Sequence, residues 1–390
     1  MSFGTLALVI ALGLVGPAVA SLSKKGPPLV VGEILAGVVA GKSGFGWINP
    51  AQPTLAFLAE LGFGLLMVIV GTHIPVRSPA LRGSLAKALL PVSVTIVLAV
   101  GGGYLLAGFV GLGHPLLLAV LLATSSAAVA LPVLQRHFDD APAVLVGAAW
   151  IAMLDVATVL AVPLVLRSGS VGKLLLGDLV IVAGVVLVRL LAHLSAKSGR
   201  VKALRKRSKR DRWALDLRVS LLVLCLLCWV ATESGTSVLL AGFAVGVMLA
   251  TMGEPRRLAW QLLGVGEGFL VPLFFVVLGA RLDVRHLLQR REDVLLAVVV
   301  VIGALVVHVI AGQVSGLPLS LGLLATAQVG VPAAVVNIGL ATGVLGAGQG
   351  AAIMAGVLAS LAIGAVGASM LGSRESLGDH TAPEVLKRPT

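Results

Sequence analysis

Long unbroken apolar runs make up most of the chain, and polar residues punctuate them rather than alternate with them. The stretch Val294–Ile302, VLLAVVVVI, is typical. Runs bounded by charge, Pro or Gly predict thirteen membrane-spanning helices, at 3–21, 28–46, 54–72, 84–110, 115–134, 143–166, 174–195, 214–232, 236–252, 260–280, 294–313, 318–343 and 348–371. Each is near the roughly 20 residues that cross a bilayer. A transmembrane β-barrel would alternate over segments of about ten residues instead. The pattern therefore predicts an all-α polytopic membrane protein. Residues 1–373 form the membrane domain, 196–213 a basic loop and 374–390 a short polar tail.

Composition supports this reading. Apolar residues are 58% of the chain, 48 more are glycine and only 12% are charged. Soluble domains carry about 25% charged residues, so a soluble enzyme, a disordered chain and a nucleic-acid-binding domain are all excluded. The net charge of +12 has another source: ten of the 29 basic residues lie in Lys197–Arg218. Loops after odd-numbered spans, with the tail, carry 21 Lys and Arg; loops after even-numbered spans carry 7; Arg189 lies within span seven. The positive-inside rule then sets the N-terminus outside and the C-terminus in the cytoplasm of a cell-membrane protein, with the basic stretch a cytoplasmic loop; membrane lipid head groups are a further partner open to it. Ala18-Val19-Ala20 resembles a signal-peptide cleavage site, but Lys24 and Lys25 follow the apolar run and no basic residue precedes it. That charge order predicts a retained first helix. Cys225 and Cys228 lie inside span eight and read as buried small hydrophobes rather than a redox pair.

Two spans are unusual. Span five contains Thr124-Ser125-Ser126 and then Pro132; span twelve contains Gln328-Val329-Gly330-Val331-Pro332. They sit seven spans apart, so spans one to six and eight to thirteen form an inverted repeat with a discontinuous helix in each half. Both helices are expected to unwind, near Ser125–Ala128 and Val329–Pro332, and to cross near mid-membrane.

Asp155 is the leading chemical group, about twelve residues into span six. A charge at that depth costs at least ~2.5–3.5 kcal/mol and must face the protein interior or water. Such a carboxylate can exchange a proton for a cation, which makes it the expected site for Na⁺ or K⁺. Thr124, Ser125 and Ser126 offer oxygens to complete a shell, as hard cations require. Gln328, and His308 in span eleven, are further core partners. Glu60 and Glu267 are rivals for a proton path; Glu33 and Glu233 rank lower because they lie near span ends. There is no Walker A pattern, zinc spacing or dinucleotide fingerprint, so no cofactor is expected and an ion or substrate gradient must drive any transport. A diverged transporter of another solute, or a channel-like or regulatory subunit, stays open on these residues alone.

Several segments resemble the monovalent cation:proton antiporter-2 family of Kef-type and bacterial Na⁺/H⁺ exchangers. They are Pro27-Pro28-Leu29-Val30-Val31-Gly32-Glu33-Ile34-Leu35-Ala36-Gly37 with Gly44-Phe45-Gly46, Leu58-Ala59-Glu60-Leu61-Gly62, Ala123-Thr124-Ser125-Ser126-Ala127, and Leu273-Phe274-Phe275-Val276-Val277-Leu278-Gly279. A single buried carboxylate favours electroneutral exchange, one cation for one proton. The resemblance implies a cation:proton antiporter and a homodimer. It also implies a dimerisation panel (3–72 and 214–280), a linking span (174–195) and a mobile core (84–166 and 294–371) that moves as an elevator. Members usually pair the span-six Asp with Asp, Asn or Gln, where this chain has Leu154, and electrogenic members carry a Lys near the place of His308.

Overall fold

The computed structural model describes residues 1–21, 29–73, 79–135, 142–166, 171–197, 199–211, 213–234, 237–252 and 264–378. Among them there is no strand. Backbone polar groups cannot find water in lipid, so each segment satisfies its own as helix. The first group of helices is α1 (Phe3–Gly13), α2 (Val15–Ser21), α3 (Leu29–Ala40) and α4 (Pro53–Thr72). Then follow α5 (Pro79–Leu106), α6 (Pro115–Ala123), α7 (Ala127–Leu134) and α8 (Pro142–Leu166). Next are α9 (Val171–Lys197), α10 (Gly199–Arg210), α11 (Leu215–Glu233) and α12 (Val238–Met252). A π turn, Gly266–Leu270, leads into α13 (Val271–Arg281), and the short α14 (Val284–Gln289) precedes α15 (Arg291–Val314). The chain continues through α16 (Leu319–Ala325), α17 (Gly330–Thr342) and α18 (Ala347–Gly378). Among the described residues, eight helices, counting α1–α2, α6–α7 and α16–α17 as one each, are long and apolar enough to cross a membrane; α3 and α12 are shorter apolar helices.

These helices pack in two groups. The helices α1–α4 pack with α11, α12 and α13; α5–α8 pack with α14–α18. Without a hydrophobic driving force in lipid, close approach of small residues holds such bundles together. On α3 and α13, a Cβ at Gly37 or Gly279 would overlap the carbonyl of Val276 or Ile34. On α4 and α12, a Cβ at Gly242 would sit 2.5 Å from the Gly64 carbonyl, and one at Gly246 would overlap that of Val68. Because the obstacle is backbone, it cannot swing aside. Gly246→Leu is therefore expected to cost more than the ~1–3 kcal/mol of ordinary overpacking. The check is a lower melting temperature in detergent, with an exposed-face change such as Leu222→Ala as the near-neutral reference.

Several boundaries differ from the sequence expectation. Span two ends early: α3 stops at Ala40, and Gly44-Phe45-Gly46 forms a turn, with Phe45 N–H donating to Val39 O and Gly46 at φ +68°. Only glycine adopts that conformation readily. Residues 196–213 are not a simple loop, since α10 fills most of the segment. The last helix runs to Gly378, past the expected end of span thirteen. Pro27, Pro28, Arg77, residues 260–263 and the tail beyond 378 lie outside the described residues. Arg189, exposed on α9, donates a hydrogen bond to Thr251 Oγ1 on α12. Both cysteines are free.

Candidate cation site at the helix crossing

Spans five and twelve are both interrupted. The first break is Thr124–Ser126, between α6 and α7; the second is Thr326–Val329, between α16 and α17. Hydroxyl and amide side chains compete for backbone groups and so tolerate non-helical backbone. The prolines mark neither break. Pro132 lies within α7, and Pro332 lies in the first turn of α17, where its missing N–H costs nothing. The second break accordingly starts three residues earlier than expected. The two breaks touch: Ser126 N–H donates to the Ala327 carbonyl at 2.9 Å. The free ends of four half helices thus meet, two N-termini with partial positive charge and two C-termini with partial negative charge.

Asp155 comes to this point from α8. It is 2% exposed, and its Oδ2 accepts the Ala127 N–H at 2.9 Å, at the first residue of α7. Its Oδ1 makes no hydrogen bond among the described residues. One oxygen is therefore anchored to a half-helix N-terminus while the other stays available. Thr158, one turn further along α8, donates to the Leu154 carbonyl at 2.8 Å. Its single proton is then committed, so the 3.2 Å contact with Thr124 must be donated by Thr124. That leaves the Thr124 lone pairs free.

Three buried polar side chains at the crossing carry atoms without a hydrogen-bond partner among the described residues. These atoms are Ser125 Oγ, both amide atoms of Gln328, and His308 Nε2. Gln328 is 0% exposed. Such groups are costly to leave unsatisfied, by about 1–3 kcal/mol each, unless a ligand completes them. His308 Nδ1 lies 2.8 Å from the Ala304 carbonyl. Its Nε2 completes no hydrogen bond among the described residues. The His308 ring lies against Trp150, 5.8 Å between centroids. Leu154 is fully buried in apolar packing beside Asp155 and contributes no oxygen.

Asp155, Thr124, Ser125, Ser126, Gln328 and His308 are thus brought together. Glu60 is not: it is exposed on α4, within electrostatic reach of Cys228 and Arg281. Glu267, in the π turn, is exposed at a cavity of about 370 Å³ that also reaches Ser126, Val329 and Gly330. Sequence reasoning missed Thr158, although the spacing Asp155-Val156-Ala157-Thr158 sets both on one helix face. It also missed the bond from Arg281 Nη1 to Asn337 Oδ1, 2.9 Å, which joins α13 to α17 across the two helix groups.

A crossing of two broken helices around one carboxylate is a specific architecture, and the family model described as sodium/hydrogen exchanger, transmembrane, matches residues 8–373. The chain belongs to the sodium/hydrogen exchanger family. Relatives include "Putative Na(+)/H(+) antiporter YjbQ" of Bacillus subtilis (strain 168), 26% identical over 79% of this chain and 52% of its own length. "Probable Na(+)/H(+) antiporter 3" of Methanocaldococcus jannaschii is 24% identical over 75% of each chain. "Iron transporter MagA" of Paramagnetospirillum magneticum is 30% identical over 69% of this chain and 61% of its own. This exchanger-family chain thus spans about half the length of YjbQ. Its fold matches the solved structure of the sodium proton antiporter MjNhaP1 from Methanocaldococcus jannaschii at pH 8, with a TM-score of 0.60 at 18% identity, covering 95% of this chain and 97% of that one. As in the rest of the exchanger family, the chain is a multi-pass membrane protein.

Proposed function

We propose that the chain is a secondary transporter, not an enzyme, that exchanges Na⁺ or K⁺ for H⁺ one for one, with Asp155 carrying either load. The observation that carries this reading is the half-engaged carboxylate: Oδ2 held by the α7 N-terminus, Oδ1 free, and unpartnered Ser125 and Gln328 beside it. A single carboxylate holds either one cation or one proton, so each transport half-cycle carries one positive charge and exchange is electroneutral. Leu154 supplies neither a second side-chain oxygen nor a second charge beside Asp155. Neutral oxygens with one carboxylate suit a hard monovalent ion better than iron, which calls for nitrogen, sulfur or several carboxylates. Among the described residues no cluster of three His, Cys, Asp or Glu side chains could hold a metal ion.

The core helices α5–α8 and α15–α18 carry the load past the panel α1–α4 and α11–α13 of a homodimer, in an elevator movement. The chain crosses the plasma membrane thirteen times, N-terminus outside. The basic segment gives the topology test. Ser208 is a poor reporter because it is buried and accepts the Leu215 N–H, whereas Leu204 is 45% exposed. With both native cysteines replaced by Ala, Leu204→Cys should resist an impermeant maleimide in intact cells and react in everted vesicles. Labelling in intact cells would overturn this orientation.

The activity test is a cation panel of Li⁺, Na⁺, K⁺, Rb⁺ and Fe²⁺ in proteoliposomes holding a pH dye. Monovalent cations should dequench the dye, unaffected in direction by valinomycin-clamped voltage. Dequenching by Fe²⁺ alone, or none at all, would sink the antiport reading.

A further inference from the structure

Resting on the Asp155 reading, we infer that Glu33 is a second, non-transporting cation site: a staging carboxylate that draws the monovalent cation into the cavity leading to the helix crossing. Glu33 lies mid-way along α3 and is 4% exposed. It nevertheless lines the cavity of about 370 Å³. Among the described residues it has no hydrogen bond and no ion pair. A lone buried carboxylate is costly as an ion unless a cation or a proton joins it, and the open face toward the cavity is where a cation can reach it.

The surroundings support a mobile cation rather than a fixed partner. The side chain is held close to the backbone: a Cβ built on Gly16, beside the α1–α2 junction, would lie 2.9 Å from Glu33 Cγ and 3.1 Å from Oε1. The walls are mostly apolar, including Leu66, Val70 and Phe275. Two other titratable groups line it. Glu267 is exposed at the rim. His73 has its Nδ1 on the Ile69 carbonyl at 2.7 Å. Apolar walls of low dielectric focus the field of the two carboxylates along the cavity and raise the local cation concentration. The far wall is Ser126, Val329 and Gly330, which are the crossing itself. Leu29, His73, Pro132 and Glu267, which line the cavity, come from the span ends that adjoin loops after odd-numbered spans. By the charge count these are the cytoplasmic ends. Glu33 then serves cation loading from the cytoplasm, while Asp155 alone crosses with the load.

This division of labour separates KM from maximal rate. The test uses purified full-length protein in proteoliposomes at pH 8, with Na⁺ concentration varied and ionic strength set by choline chloride. Glu33→Gln should raise the KM for Na⁺ on the cavity side about three- to tenfold at low ionic strength and leave the maximal rate within about twofold. The gap should close near 0.5 M salt, where the Debye length is only a few Å. Glu33→Asp, which keeps the charge, should retain a low KM. The wild type should itself show a KM that rises with choline chloride, so the inference is tested even where the Gln variant does not fold. An unchanged KM in Glu33→Gln, a shift that persists at high salt, equal shifts in Gln and Asp, or a salt-independent wild-type KM would each overturn it. Asp155→Asn distinguishes the two levels. Exchange lost in Asp155→Asn but unaltered KM in Glu33→Gln removes only Glu33, whereas exchange that survives Asp155→Asn removes the reading beneath it.

Discussion

Asp155→Asn should abolish exchange, lowering cation-driven proton flux at least about 100-fold at matched protein density, while leaving the protein folded. The amide keeps the carboxylate's shape, and its Oδ1 can accept the Ala127 N–H that Asp155 Oδ2 accepts at 2.9 Å. What disappears is the charge. A neutral hydrogen bond in place of a charged one costs the fold about 1–2 kcal/mol at most, and the burial of an ion is relieved at the same time. Melting temperature should therefore change little. Both loads are lost together, because an amide neither takes up a proton near neutral pH nor neutralises a cation. Asp155→Glu should keep partial flux with altered cation affinity, since it retains the carboxylate but displaces it by one methylene. Dye-dequenching in everted vesicles, with melting curves on the same preparations, measures both quantities. Undiminished flux in the Asn variant would move the chemistry to Glu60, Glu267 or His308.

The apparent KM for the cation should fall as pH rises, by about tenfold per pH unit while Asp155 is mainly protonated, and then level off. The sign follows from mutual exclusion on one group. When a proton occupies the carboxyl, a cation binds only by displacing it, so apparent affinity scales inversely with proton concentration. Once the group is mostly ionised, removing more protons from solution frees no further sites. The maximal rate should behave differently, falling at high pH because the returning core must pick up a proton. Initial rates over a Na⁺ series at half-unit steps from pH 6 to 9 give both curves. A KM independent of pH, or one rising with pH, would mean that proton and cation bind separate groups.

What the sequence reveals and what it hides divides along physical lines. Asp155 is legible because one charge in the apolar run of α8 has no cheap explanation in lipid. The two broken helices are legible as paired clusters of hydroxyls, amide and proline, but the prolines mislead about position. Pro332 is accommodated in the first turn of α17, and the unwinding falls instead on Thr326–Val329, where Gln328 finds no hydrogen-bond partner among the described residues. Turn formation at Gly44–Gly46 and helix formation in α10 are local events that a hydropathy reading blurs, one by running apolar residues on, the other by treating charge as loop. Features set by the approach of distant helices stay hidden. Arg281 and Asn337 are 56 residues apart, and Glu33 looks like a span-end residue until α4, α7 and α13 enclose its cavity. Thr158 is the intermediate case, since helical spacing links it to Asp155 while only the crossing supplies Thr124.

The central claim is that one carboxylate holds either a cation or a proton, never both. Its most direct test is proton release on cation binding by purified protein in weakly buffered detergent solution, with bound ²²Na⁺ counted in the same samples. At a pH where Asp155 is protonated, wild type should release one proton for each Na⁺ bound, and Asp155→Asn should show neither binding nor release. Sodium binding without proton release in the wild type, or undiminished binding in the Asn variant, would contradict it.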